Sequence, residues 1–406
     1  MAEEPLESKA ALAGVRVLEF TNLLAGPFPT LLLGFLGAEI IKVESRAQLD
    51  AARRPPYAYD DPDGSPVFNS VNLNKLSLQL NLKEPLAVEL ACRLVTLSDV
   101  VVENMRPGVM ERLGLGYQRL KQINPGIVMA SISSGGSTGP ESSYPGYAPA
   151  FNALSGLGHL TGYPDGPPGE HHDSIDARVG ATAAFAILAA LLHRLRTGLG
   201  QFVDLSSREA ITMFGAEALM DYAMNGRVPL RRGNREVGLA PHGCYRSKGE
   251  DAWVTIAVAS EEEWRALCQA TGHPEWATDA RFADSLRRCE NQDILDQHIS
   301  GWTAQHAPDD VAQILQSAGV PAAPSMNSRA LAEDHHLKGR GVWQEIYSPV
   351  MGTQIVQGPP WRFSETPPTI RSAGPLLGQH NHRVLVELLG ASPEELEEWV
   401  ASEVVY

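Results

Sequence analysis

Cysteine is scarce in this chain. The four cysteines, Cys92, Cys244, Cys268 and Cys289, lie far apart and form no C-x-x-C pair. Metal or redox chemistry through them is not expected, and a reducing, cytoplasmic compartment is. Positive charge is short as well: 33 Lys and Arg face 48 Asp and Glu, for a net charge of −15. Such a balance repels phosphate backbones and argues against nucleic acid as a partner, although a local basic pocket can still hold an anionic ligand. Long apolar runs are missing. The longest, Gly180 to Leu192, is rich in alanine, is too short for a membrane span, and reads as a buried helix, so no membrane partner is expected. The start, M-A-E-E-P-L-E-S-K, has neither the basic nor the apolar region of a secretory signal. No G-x-G-x-x-G follows the first β-rich run, which removes the usual dinucleotide site. The pairs His335-His336 and His380-x-His382 have no third ligand nearby, so no metal site is expected.

The 406 residues leave room for a large core and more than one domain. Strand and helix signals alternate through the first part of the chain. Strands are expected over Val15 to Phe20, Ala38 to Glu44, Leu76 to Leu82, Val100 to Glu103, Ile127 to Ile132 and Gln201 to Leu205. Helices are expected between them, including Phe28 to Leu36, Pro85 to Leu97 and Arg178 to Arg196. This order predicts an α/β fold with a parallel, doubly wound sheet. Ser206-Ser207-Arg208-Glu209 has capping-box spacing and opens another helix. The texture then changes. Arg227 to Gly249, rich in Arg, Gly and Pro, reads as a linker. A strand over Ala252 to Val258 follows, with helices around Glu261 to Ala270, Gln292 to Gln305 and Asp309 to Ala318, as in a smaller α+β unit.

One carboxylate stands out. T-G-Y-P-D-G-P-P runs from Thr161 to Pro168 and H-H-D-S-I-D-A-R-V-G from His171 to Gly180, so Asp176 sits where a loop delivers the chain into the alanine-rich helix. An isolated Asp there is usually a helix cap. This one keeps company with an ordered set of motifs: L-A-G-V-R-V-L-E-F followed by A-G-P, then L-G-A-E-I-I-K-V-E, N-L-N-K-L-S-L-Q-L-N-L, E-N-M-R-P-G-V-M-E-R-L-G, and near the end G-P-P-W-R-F-S and P-L-L-G-Q-H-N-H-R-V-L. Together they resemble the class III CoA-transferases, which include the formyl-CoA:oxalate and carnitine CoA-transferases, across nearly the whole chain.

The resemblance implies a large Rossmann-like domain built from both chain ends, residues 1–226 and 326–406, with linkers and a small domain over 227–325 inserted between them. It also implies two subunits interlocked like links of a chain. The substrates would be an acyl-CoA donor and a carboxylic acid acceptor, with coenzyme A passing between them and no tightly bound cofactor. Asp176 falls on the family's nucleophile by its D-x-x-x-G spacing to Gly180. A carboxylate is the residue type this chemistry needs, because the nucleophile must itself become a thioester. The loop S-S-G-G-S-T-G-P follows a strand and can present free N–H groups, which makes Gly135 and Gly136 candidate oxyanion donors. Leu24, Ala25, Asn74, Lys75, Asn104, Met105 and Arg112 match the family's CoA positions, and Lys75, Arg106 and Arg112 offer charge to the CoA phosphates. His171, His172 and Arg178 are candidates for holding the acceptor carboxylate. Asp165, in Y-P-D-G-P-P, reads as a turn residue. The chain departs from the pattern in having no lysine near Ser133 and no run of glycines in the small domain, where Pro241 to Tyr245 reads P-H-G-C-Y.

An α-methylacyl-CoA racemase is the alternative within the same superfamily. It needs an acid/base pair next to the thioester, and where racemases carry His and Asp this chain has Gly146-Tyr147-Ala148. A CoA-binding protein without catalysis would have no use for Asp176.

Overall fold

The computed structural model describes residues 10–171 and 174–406. Six strands form a parallel sheet: β1 (Arg16–Phe20), β2 (Glu39–Glu44), β3 (Lys75–Gln79), β4 (Val100–Glu103), β5 (Val128–Ser133) and β6 (Phe202–Ser206), in the order β3-β2-β1-β4-β5-β6. The inner strands β1, β2, β4 and β5 are buried almost throughout, and β4 opens with an unbroken valine run, because both sheet faces are covered. On one face, Leu18, Ile41, Leu78 and Val101 pack with the Pro85–Thr96 helix and with Leu385, Trp399 and Val405 from the end of the chain. On the other, Val17, Ile40, Val102 and Ala130 pack with the helices Pro27–Phe35, Ala148–Leu154 and Ser174–Thr197.

The Ser174–Thr197 helix begins four residues before the expected Arg178, because Ser174, Ile175 and Asp176 form its first turn. It ends at Gly198, whose φ of 75° suits glycine and whose N–H reaches the Arg194 carbonyl at 2.7 Å. By length and composition it would suffice to cross a membrane, more than the 180–192 run suggests. Its Ile175, Val179, Ala183, Ile187 and Ala190 are buried in the core beneath the sheet.

The chain divides into two compact units, one of residues 1–158, 170–227 and 336–406, the other of 159–169 and 228–335. The first also holds an antiparallel pair, β10 (Trp343–Ser348) with β11 (Gly352–Gln357). The second is built on a three-stranded antiparallel sheet of β7 (His242–Arg246), β8 (Trp253–Ala257) and β9 (Ala322–Pro324). β7 lies inside the stretch read as a linker. It has no apolar alternation to mark it, since of its five residues only Tyr245 is buried. Val254, Ile256, Trp264, Leu267, Phe282, Ile299 and Leu315 form the core of this unit.

Candidate active site

The strand order reverses direction at β1, with β2 on one side and β4 on the other. Loops leaving the two strands at such a point diverge and open a crevice at the carboxyl edge of the sheet, where ligands of open α/β sheets bind. The loop after β1 holds Leu24 and Ala25, and the loop after β4 holds Asn104 and Met105. The two are stitched together. Asn22 N–H donates to Asn104 Oδ1 at 2.8 Å, and Asn104 Nδ2 donates to the Asn22 carbonyl at 2.9 Å. A Cβ on Gly26 would lie 2.5 Å from Asn104 Cγ, so only glycine lets the loops approach this closely. Leu23 takes a left-handed φ of 66°, and its N–H is held by Asp50 Oδ1 at 2.9 Å. This conformation is uncommon for a branched residue and is maintained by the surrounding bonds.

Asp176 reaches the same edge by topology. The helix that precedes a parallel strand runs antiparallel to the sheet, so the N-terminus of the Ser174–Thr197 helix stands at the carboxyl ends of the strands. Asp176 is in the first turn and only 9% exposed. The positive end of the helix dipole lies at this first turn. The D-x-x-x-G spacing has a packing basis. Gly180 lies one turn further along the same helix face, and a Cβ there would stand 2.7 Å from Phe28 Cβ. The missing side chain lets the long helix press against the Pro27–Phe35 helix, which starts just after Leu24 and Ala25.

The loop after β5 brings Gly135 and Gly136 to this edge. Gly136 has φ 85°. Among the described residues, neither glycine donates its N–H to another group of the chain. Ser133 is buried, and its hydroxyl has no partner among the described residues.

Two expected CoA contacts are engaged elsewhere. Lys75 opens β3, at the opposite end of its strand from the crevice, and is fully buried. Its ammonium donates to Thr30 Oγ1 at 2.8 Å, to the Pro27 carbonyl at 2.9 Å and to Glu19 Oε1 at 3.1 Å. Burial lowers its pKa to about 8, against the opposing pull of Glu19. With its donors taken by the chain, Lys75 is a structural cation and not a free partner for phosphate. Asn74 is likewise structural. Its Nδ2 donates to the carbonyl of Thr369 at 2.8 Å, and its Oδ1 accepts from the N–H groups of Arg371 and Ser372, which ties the C-terminal part of the chain to the sheet. Arg106 and Arg112, in the segment after β4, are exposed and make no ion pair among the described residues.

Arg178 is half-buried and stacks over the Phe214 ring at 5.3 Å. It is two residues from Asp176 and therefore on another face of the helix, so the helix does not bring the two together. His171 is held below its usual pKa by burial and by Arg178. His172 and Asp173 lie outside the described residues. Asp165 sits in a turn closed by Gly166 N–H to the Tyr163 carbonyl at 3.1 Å. Gly146-Tyr147-Ala148 leads into the Ala148–Leu154 helix, with Tyr147 exposed.

Sequence reasoning missed Glu103, the last residue of β4. It is 4% exposed and accepts Met105 N–H at 2.7 Å. Burial pushes its pKa up to about 7, against hydrogen bonds from Ser131 and Met105. It also missed Asp204 and Arg208, which flank the end of β6. Glu103 and Arg208 lie within quoted motifs, but the motifs do not single them out, since burial and partners are set by the fold. Among the described residues no group of three or more His, Cys, Asp or Glu is placed to hold a metal ion.

A family model described as CoA-transferase family III matches residues 12–381. A succinyl-CoA–D-citramalate CoA-transferase of Chloroflexus aurantiacus is 35% identical over 387 residues, covering 95% of this chain and 96% of the relative. A succinyl-CoA:glutarate CoA-transferase of Mus musculus is 32% identical over 402 residues, covering 98% and 91%. The crystal structure of a CAIB/BAIF family protein from Brucella suis matches with a TM-score of 0.86 at 32% identity, covering 93% of this chain and 99% of that one. The chain belongs to CoA-transferase family III. It is an enzyme, a CoA-transferase, whose substrates are CoA thioesters and carboxylic acids.

Proposed function

We propose that Asp176 is the nucleophile that carries CoA from a succinyl-CoA-type donor to a dicarboxylic acid acceptor. One observation carries the reading: a nearly buried carboxylate in the first turn of a long helix, at the carboxyl edge of a doubly wound sheet. An Asp176 oxygen attacks the thioester carbonyl carbon, the C–S bond breaks, and CoA leaves as thiolate. The acyl group is left on Asp176 as a mixed anhydride. The thiolate then attacks Asp176 Cγ and releases the donor acid, leaving an aspartyl-CoA thioester. The acceptor carboxylate attacks the same Cγ and expels the thiolate. The thiolate takes the acceptor acyl group and frees Asp176. Each tetrahedral species bears an oxyanion, for which the open N–H groups of Gly135 and Gly136 serve as donors.

CoA runs along Leu24–Ala25 and Asn104–Met105, with its phosphates met by Arg106 and Arg112. The dicarboxylate acceptor rests on the relatives, whose names pair succinyl-CoA with citramalate, malate, glutarate and mesaconate. The reading includes a large domain of 1–226 and 326–406 with an inserted small domain, in an interlocked homodimer. Exposed apolar side chains support the dimer: Phe185 and Leu195 on the long helix are 75% and 83% exposed, and Met213, Phe214, Leu219, Met220 and Met224 follow on the next helices. A patch of this kind is unusual on a monomer.

The test is a panel of dicarboxylic acids with succinyl-CoA, using wild type and Asp176→Asn. Wild type forms the acceptor's CoA thioester, and the variant loses about 10³-fold or more in kcat. Wild-type rates in Asp176→Asn would remove the nucleophile assignment.

A further inference from the structure

The loop that carries Gly135 and Gly136 is tied down on both sides of the glycines. On the N-terminal side the Ser134 carbonyl accepts Arg208 N–H at 3.0 Å. On the C-terminal side Asp204 accepts both donors of Ser137, the N–H at 2.9 Å and the hydroxyl at 2.6 Å. The Arg208 guanidinium reaches on to Glu141, beyond the glycines. The loop is also seated from below, since a Cβ on Gly146 would stand 2.4 Å from Ser134 Oγ. Between these ties Gly136 takes its left-handed φ, and the two glycine N–H groups have no acceptor in the chain among the described residues. A polar backbone group left unpaired is unfavourable unless something external accepts it. Successive N–H groups around a left-handed residue form a concavity suited to an anion. Asp204, acceptor-only when ionised, takes the Ser137 donors out of that concavity and fixes the direction of the two that remain.

We infer that Asp204 is a positioning residue for the transfer reaction: from β6, together with the backbone N–H of Arg208 on the Ser134 carbonyl, it holds the Gly135–Gly136 N–H pair in place as oxyanion donors. Its side chain does not touch the reacting atoms. The inference rests on the Asp176 reading above. Misalignment of oxyanion donors is felt where charge develops and not in the ground state, so it lowers kcat and leaves KM in place.

The experiment uses the full-length enzyme with succinyl-CoA and the acceptor that the panel identifies. Asp204→Ala is expected to lower kcat about 10- to 100-fold with both KM values within about twofold of wild type, less than the loss of a whole oxyanion donor. Deuterium exchange of the 133–141 peptide is expected to quicken in the same variant. Asp204→Asn keeps an acceptor oxygen for Ser137 N–H and should restore most of kcat. Ser137→Ala removes one exposed bond without threatening the fold, and should cost about three- to tenfold in kcat. If Asp204→Ala does not fold, Ser137→Ala and Asp204→Asn decide. Wild-type kcat in the variants that fold, or a KM increase at constant kcat, overturns the inference. Asp176→Asn in the same assay separates the two failures. If it is inactive while the Asp204 and Ser137 variants are normal, only the clamp is wrong. If it stays active, the nucleophile assignment is wrong and the clamp falls with it.

Discussion

Two buried charges at the sheet show how far a residue's role depends on what surrounds it. Glu103 has a pKa of about 7 because burial penalises its carboxylate. Between the ordinary carboxylate value and 7 the folded protein binds a proton that the unfolded chain does not. The corresponding stability is complete below about pH 4.5 and is lost as pH rises through 7. Glu103→Gln should therefore leave the unfolding free energy nearly unchanged at pH 5 and raise it by about 1–3 kcal/mol at pH 8. Thermal or denaturant unfolding at both pH values checks this, and an equal effect at the two contradicts it. Lys75 offers a second test. Removing it in Lys75→Met leaves Glu19 buried, with Lys42 Nζ at 3.6 Å as its remaining ionic partner. The expected loss is about 3–5 kcal/mol of stability, as for other broken buried pairs. A residue serving only the CoA phosphates would instead raise KM for the acyl-CoA and leave unfolding unchanged. Lys75 was misread from sequence because lysine is almost never fully buried without a partner, and its partner, Glu19, lies on a different strand.

Among the elements, glycine spacing fixes where the site is built. Gly180→Ala would place a methyl group 2.7 Å from Phe28 Cβ, which is not the flexible end of a side chain. The Ser174–Thr197 helix would have to move, at a cost of about 1–3 kcal/mol, and kcat should fall because Asp176 moves with the helix. Gly301→Ala is the control. Nothing stands within 4 Å of its Cβ in the Gln292–Thr303 helix, so it should be neutral or stabilise by about 0.5–1 kcal/mol. Thermal unfolding of the pair, with kcat for each, decides. Most of these elements were legible. Val100–Glu103 and Glu261–Ala270 lie where the apolar patterns put them, and the other parallel strands are displaced by a residue or a few at their ends. β-rich runs bounded by glycine and polar residues mark such strands well. β7 was not legible, because His242, Gly243 and Cys244 carry no strand pattern and pairing with β8 holds them. The stitching of Asn22 to Asn104, and of Asn74 to the chain's last part, was hidden too. Side-chain bonds between residues tens to hundreds of positions apart leave no local trace.

For the molecule as a whole, the parallel sheet could be anticipated from alternating strand and helix signals, whereas the ordering of its strands needed the structure. The candidate site was legible in part. Asp176 and the two glycines sit at one edge by topology, while the charge expected from Lys75 is bound up beneath the sheet. The exposed apolar side chains of the long helix and its successors are the surface that the interlocked second copy proposed above would cover. The expected mass in solution is twice that of the 43.9 kDa chain. Two differently tagged preparations should fail to exchange subunits until they are unfolded and refolded together. Free exchange at native conditions would exclude interlocking. The chemistry of the whole enzyme is followed most directly with oxygen. In the proposed sequence the acceptor carboxylate attacks Asp176 Cγ, and the bridging oxygen stays on Asp176 when the thiolate removes the acceptor acyl group. Turnover with acceptor acid labelled in both carboxylate oxygens with ¹⁸O should therefore add about 2 Da per transferred oxygen to the peptide containing Asp176. Product thioester formed while that peptide stays unlabelled would contradict an Asp176 intermediate.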